Sequence, residues 1–329
     1  MKRHRRWFVI PILFGLLAIP IFFAARFIVI NFKLFKAAGT IAEKEHNLMI
    51  IAILLMLLVI VPVMMLALGF AWYYRAGNTK AKYLPDWDHA KTDELIWWAI
   101  PFEIILVLAA ITWTTTHDLD PWKPLQSDTK PVVVQVVALD WKWLFIYPEE
   151  GIASVNELEI PAHTPINFEL TADAPMNSFW IPQLGGQIMA MTGMVTKLHL
   201  DATETGTFNG TSANFSGEGF SGMNFPVHAV SDDEYRAWVN HVKVTSGTLD
   251  NANYAALAKQ SKDVPAQQYV LTAPDLFTTI VNKYMDMSTM KGENTSTASV
   301  VTPAPTVSSS TSKASTSSSS APMPAGMSM

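Results

Sequence analysis

The chain has 329 residues, half of them hydrophobic, only 16% charged, with a formal net charge of −5. That length accommodates a membrane anchor and one globular domain of ordinary size, and the charge gives no basis for a nucleic-acid partner. Cysteine is absent, which excludes disulfides, thiolate metal ligands and a lipid-modified cysteine.

Three apolar stretches come first. Trp7–Ile30 follows the basic residues Lys2, Arg3, Arg5 and Arg6 and reads as a signal peptide or an uncleaved signal anchor. Ala24 and Ala25 are small enough for a cleavage site although Arg26 follows them, and removal is the expectation. Leu48–Tyr74 carries no charged residue; as a helix it would be about 40 Å long, enough to cross a hydrocarbon core with tilt. Leu95–Thr116 contains one acidic residue, Glu103. The second and third stretches are expected to span a membrane. The N-terminal basic run and the group Arg75, Lys80, Lys82 and Lys91 mark the cytoplasmic side, which places everything after Thr116 outside. Trp72, Tyr73, Trp97, Trp98 and Trp113 lie near segment ends, where aromatic belts form.

Beyond Thr116 the period changes. Pro131–Pro148, PVVVQVVALDWKWLFIYP, is rich in β-branched and aromatic residues and has no helical stripe. Val155–Ala172, Lys197–Ala202, Thr207–Phe215 and Phe225–Val230 read as further short strands, separated by Pro and Gly turn signals. Frequent short strands predict an all-β sandwich or barrel. Asp232–Lys243 reads as a helix with Ser231 as N-cap and acidic residues in its first turn. A second helix is expected after Pro274, with Leu276, Phe277, Ile280, Val281 and Tyr284 as its apolar stripe. From about Lys291 the chain is Ser, Thr, Ala and Pro, a composition expected to stay disordered.

The stretches LDWKWLFIYP (Leu139–Pro148), MNSFWIPQLGGQ (Met176–Gln187), GFSGMNF (Gly219–Phe225) and PDLFTTIVNKYM (Pro274–Met285) resemble subunit II of the haem–copper oxidases, more closely the quinol oxidases than the cytochrome c oxidases. The resemblance runs from about Glu45 to Met285. It implies a membrane-anchored all-β fold, a transmembrane helical hairpin plus an exported cupredoxin-like β-sandwich. The implied division is a signal segment at 1–30, the hairpin at 31–116, the cupredoxin-like domain at 117–245, a C-terminal helical extension at 246–290 and a disordered tail at 291–329.

In cytochrome c oxidases this subunit binds two copper ions through a histidine, a Cys-x3-Cys-x3-His-x2-Met run and a glutamate carbonyl between the cysteines. Soft thiolates make such a copper site possible. Here the first histidine position is Asn177, the cysteine positions are Ser212 and Ser216, the glutamate position is Asn214 and the second histidine position is Phe220. Only Met223 is kept. The resemblance therefore implies a vestigial site holding no metal, and a chain without a cofactor of its own. Haems, one copper centre and quinol are expected in subunit I, with subunits III and IV and membrane lipid as further partners. The implied location is a bacterial inner membrane, with the chain multi-pass and its C-terminal domain on the periplasmic side. Ubiquinol and menaquinol both remain open, as do the partner's haems.

Glu94 matches the point at which the family places a proton-entry glutamate in subunit II; the bland alternative is a solvated helix-start acid favoured by the dipole. Glu103 is either functional or simply hydrogen-bonded to a partner helix. Trp141, which would lie on an electron-entry path if copper were present, is expected to serve packing. His163, His199 and His228 share no ligand spacing and are expected to be ordinary hydrogen-bonded residues. Met285, Met287 and Met290, then Met323, Met327 and Met329, form a thin methionine excess that reads as part of a flexible tail. Two other functions compete: a cytochrome c oxidase subunit, against which the missing ligands argue, and a copper-free binding or scaffolding module unrelated to respiration.

Overall fold

The computed structural model describes residues 36–82 and 90–285, with a few positions between 19 and 27. Most of the proposed signal segment, the tail from 291 and Met287, Met290, Met323, Met327 and Met329 lie outside the described residues.

Helix α1 spans Thr40–Tyr73 and helix α2 spans Lys91–Asp118, 34 and 28 residues long and apolar enough to cross a membrane. Pro62 and Pro101 sit inside them. Each proline removes an amide donor and crowds the carbonyl one turn earlier, so both helices carry a built-in site for bending. The two helices touch each other, and half-buried residues recur every three to four positions along each, Ala52, Leu55 and Val59 of α1 and Ile104, Leu108, Ile111 and Thr115 of α2. Most other apolar side chains of the pair are exposed, including Leu54, Met65, Trp98 and Trp113.

Among the described residues, twelve strands follow in two layers. The seven-stranded sheet has the order β11-β12-β3-β2-β1-β5-β8 and the five-stranded sheet β4-β10-β9-β6-β7. β1 (Val132–Leu139) and β2 (Lys142–Tyr147) form an antiparallel hairpin, and β1 also pairs in parallel with β5 (Ile166–Ala172). The hairpin turns at Asp140 and Trp141, where Trp141 adopts φ 61°, a left-handed conformation costly for a large side chain. β3 (Ile152–Val155) and β8 (Thr196–Leu200) extend this sheet on either side. In the other sheet, β4 (Leu158–Pro161), β6 (Asn177–Trp180), β7 (Ile188–Ala190), β9 (Gly206–Ser212) and β10 (Asn224–Val230) pair in the order given.

The continuous apolar run of β2 has a physical reason. Trp143, Phe145 and Tyr147 point between the sheets, while Leu144 and Ile146 face a second core on the opposite side. A strand buried on both faces loses the apolar–polar alternation of a half-exposed one. Between the sheets the rings of Trp143, Phe145, Phe168, Phe179 and Phe225 interlock, with Phe179 and Phe225 stacked at 5.6 Å and 10°. Gly210 faces Phe225 across β9 and β10, and a Cβ there would sit 2.1 Å from that ring. Gly210→Val should therefore destabilise the sandwich by several kcal/mol, on the order of other core-disrupting changes, read as a fall in melting temperature; unchanged melting would show that the ring can step aside.

Helix α3 (Asp232–Thr245) starts at a complete capping box, Ser231 with Glu234. The extension after 245 is not all helical as the sequence suggests: it carries α4 (Asn251–Leu257) and α5 (Leu276–Asn282), but β11 (Gly247–Leu249) and β12 (Gln267–Leu271) join the seven-stranded sheet alongside β3. The sheet edge at β3 would otherwise expose unpaired backbone groups, and pairing with β12 satisfies them. Helices α4 and α5 cover the outer face of that sheet through Tyr254, Leu276, Phe277, Ile280 and Val281.

The chain just before α1 is tied to the sandwich. The Ala38 amide donates to Gln183 O at 2.7 Å, and Ala38 O accepts from the Thr203 amide at 2.8 Å. Asp201 Oδ1 accepts from both the Thr40 amide (2.9 Å) and its hydroxyl (2.7 Å). A carboxylate at a helix N-terminus satisfies an orphan donor and suits the dipole.

Candidate functional site

The positions singled out by spacing converge at one end of the five-stranded sheet. β6 supplies Asn177, and the loop from Ser212 to Met223 leaves β9 and returns to β10. Ser212 pairs with Phe179 in the β6–β9 register, the Ala213 amide donates to Ser178 O, and the Ser212 amide donates to Met223 O at 3.1 Å. These backbone bonds close the loop on itself and bring both of its ends against β6.

The side chains satisfy one another. Buried Asn177 donates to Pro175 O and accepts at Oδ1 from the Ser212 hydroxyl at 3.0 Å. The Ser212 hydroxyl also donates to Asn214 O at 3.3 Å, while the Asn214 side-chain Nδ2 donates to Met176 O at 2.9 Å. Ser216 Oγ contacts the buried Met223 sulfur at 3.6 Å. Phe220, in a 3₁₀ turn at Phe220–Gly222, packs its ring edge-to-face with that of exposed Phe215, centroids 5.6 Å apart. This donor set holds hydroxyls, amides and one thioether, with no thiolate and no imidazole. It does not fit a thiolate-bridged copper pair.

Trp141 closes the loop from the other sheet. Its indole N–H donates to Ser216 O at 3.2 Å, and its ring lies so close to Gly219 that a Cβ there would come within 2.4 Å. Gly217 takes φ 114° beneath the same ring, which only glycine adopts readily. Lys262, from the loop after α4, lies 5.5 Å over the Trp141 ring and pairs with Glu218 at 2.6 Å. Trp141 is thus packed in place, as a strand-end aromatic with a polar handle is.

The remaining candidates lie apart. His199 Nδ1 is 2.9 Å from Pro121 O, His228 sits 3.1 Å from the Thr207 hydroxyl and 3.6 Å from Glu157, and His163 is exposed with φ 59°. Among the described residues no group of three or more His, Cys, Asp or Glu is arranged to hold a metal ion. Glu94 is half-buried in the first turn of α2, and Glu103 lies on that helix's exposed surface.

Two polar centres escaped the sequence reading. Lys142 is fully buried and donates to Lys259 O, the Ser261 hydroxyl and Asp140 O. A lone lysine inside the run DWKWLFIY was the available signal. Asp173 accepts from Tyr254, Lys283 and Tyr284, partners 81 to 111 residues away that no local pattern reveals.

Glu159 on β4 is pushed up to about 7, by burial and then by Glu157 and Glu234 nearby. A carboxyl raised in the folded state lowers stability progressively as pH climbs from its unfolded value, about 4.3, through 7. Glu159→Gln should therefore raise the melting temperature at pH 8.5 and leave it nearly unchanged at pH 4; an equal shift at both values would count against this.

Residues 243–288 match the family described as the COX Aromatic Rich Motif. Cytochrome bo(3) ubiquinol oxidase subunit 2 of Pseudomonas aeruginosa is 51% identical over 262 residues, covering 80% of this chain and 79% of that protein. Ubiquinol oxidase subunit 2 of Acetobacter aceti is 51% identical over 260 residues, covering 77% and 84%. Among solved structures, the periplasmic domain of subunit II of cytochrome oxidase from Bradyrhizobium japonicum aligns at 23% identity and a TM-score of 0.34, covering 37% of this chain and 97% of that domain. On the identity and coverage of its relatives, the chain belongs to the family of ubiquinol oxidase subunit 2.

Proposed function

We propose that this chain is the cofactor-free second subunit of a proton-motive quinol oxidase, a multi-pass protein of a bacterial inner membrane with its sandwich on the periplasmic side. Quinol oxidation and the reduction of oxygen to water take place in subunit I, which carries the haems and one copper centre; subunits III and IV complete the assembly. The relatives named as ubiquinol oxidases support the substrate class.

The observation that carries the reading is the closed network Asn177–Ser212–Asn214 beside the Ser216–Met223 contact. That the Asn177, Ser212 and Asn214 side chains spend their polar atoms on one another and on nearby backbone supports the reading of a lost copper site. Serine hydroxyls stay protonated near neutral pH and do not replace bridging thiolates. Electrons from a soluble haem carrier then have no acceptor in this chain. What the chain's own residues do is brace subunit I through α1 and α2 and close the periplasmic face. Purified complex should oxidise quinol, leave reduced cytochrome c untouched and hold no copper beyond that of subunit I. Two further copper ions on this chain would overturn the reading.

Glu94 is proposed as the proton-entry residue. It stands at the end of the hairpin remote from the sandwich, one turn into α2 and close to Lys91 in sequence, where a carboxyl can collect protons from the cytoplasm. Glu94→Gln should slow turnover about ten-fold or more, in line with loss of a positioned proton-transfer group, while the subunits still co-purify. Full activity in that variant would remove the role.

A further inference from the structure

Glu103 is the one acidic residue within Leu95–Thr116. It lies eight residues past Leu95, about 12 Å along the helix, and is exposed on the surface of α2. Among the described residues none bonds its carboxyl. A carboxyl group facing hydrocarbon with its hydrogen bonds unmet is strongly disfavoured, and such groups face protein or water instead.

The chain's other apolar stretches carry no donor side chain at that depth. From Leu48 to Ala71, α1 has no hydroxyl, amide, imidazole or charged side chain, and neither does Phe8–Ala25. On α2 the side chains one turn away from Glu103 are Ala99, Ile100, Leu106 and Val107. Glu103 also stands about a third of a turn away from the half-buried stripe of Ile104, Leu108 and Ile111. Along its own side lie Ala99, Ala110 and Thr114, small residues that let another backbone come close. Thr114 already bonds Ala110 O and Ile111 O in its own helix. Trp98, Phe102 and Trp113, 75%, 62% and 72% exposed, occupy the adjoining flank and suit lipid.

We infer that the Glu103 side of α2 is an interface with a membrane-spanning helix of another chain, one that presents a hydrogen-bond donor side chain at that depth. The inference rests on the reading of α1 and α2 as membrane spans in an oxidase complex. Glu94 lies nine residues earlier, two and a half turns, and so faces the opposite way. The two carboxyls serve different neighbours rather than one proton path.

This chain has no cysteine, so each substitution gives it a single thiol, and complex carrying the unsubstituted chain sets the background from other subunits. Glu103→Cys, Ala110→Cys and Phe102→Cys, each labelled with a fluorophore in the full complex and reconstituted in vesicles containing nitroxide-labelled lipid, report which side touches lipid. The probe at 102 should be quenched, and those at 103 and 110 at least three-fold less. Equal quenching at all three positions, in complex that still oxidises quinol, overturns the interface and leaves the proposed function standing. No quenching at any position overturns the membrane span, and the interface with it. Unlabelled variants give a second measure: Glu103→Gln should keep the subunit in the complex through detergent extraction, while Glu103→Leu lowers its retention about three-fold, the scale of one intramembrane hydrogen bond. Equal retention of the two overturns the donor.

Discussion

Replacing Asp173 by alanine should loosen the C-terminal layer from the sandwich and cost about 2–4 kcal/mol, the scale of removing one partner from a buried, charge-assisted cluster. The carboxylate follows β5 with its side chain 1% exposed. It accepts from the Tyr254 hydroxyl at 2.6 Å, from Lys283 Nζ at 2.6 Å and from the Tyr284 hydroxyl. Those donors come from α4 and from the turn after α5, so one side chain fixes both ends of the layer. Burial pushes the carboxyl pKa up, but the bonds from Lys283, Tyr254 and Tyr284 outweigh it and hold the group below its usual range. A carboxylate lowered in the folded state contributes stability that is complete above its unfolded value, about 3.9, and is lost as pH falls through the folded one. The loss in Asp173→Ala should accordingly be full at pH 7 and shrink in strong acid. Thermal unfolding at both values checks it, and identical melting of parent and variant at pH 7 would sink it.

Lys142→Met should cost about 2–3 kcal/mol, because methionine fills the stem's volume and leaves the acceptors unmet. The ammonium group joins the β1–β2 turn to the loop after α4 through Lys259 O at 2.8 Å and the Ser261 hydroxyl at 2.6 Å. Burial lowers the lysine's pKa, with Asp140 opposing. The same loop carries Lys262 onto Trp141 and Glu218 and Val264, whose carbonyl accepts from Asn156 at 2.8 Å. Losing the lysine should thus speed amide exchange in residues 259–264 and in the Ser212–Met223 loop together. Faster exchange in the first segment alone would separate the two.

The hairpin and most of the first sheet were legible because their apolar periods are long and uninterrupted. The 212, 216, 220 and 223 spacing was legible because one loop holds all four positions. β6 and β7 escaped because NSFW and IMA are too short to show a period, and β11 and β12 because GTL and QQYVL flank a polar stretch. The bond from Ser212 to Asn177 joins residues 35 apart, and no local rule pairs an amide with a hydroxyl at that distance. The burial of Trp141 follows from its place in an aromatic strand run, but its left-handed turn did not announce itself, since neither neighbour is glycine.

Both legs of the hairpin are held at the same end. α1 enters from a segment stitched to Gln183, Leu184 and Asp201, and α2 runs within fifteen residues into β1. A 34-residue helix reaches about 50 Å from that fixed point, so small tilts at the root become large excursions at the tip around Arg75. The assembly behaves as a two-pronged fork with a rigid handle: neighbours that grip the prongs set its pitch, and whatever bends Pro62 or Pro101 retunes the tip while the handle stays still.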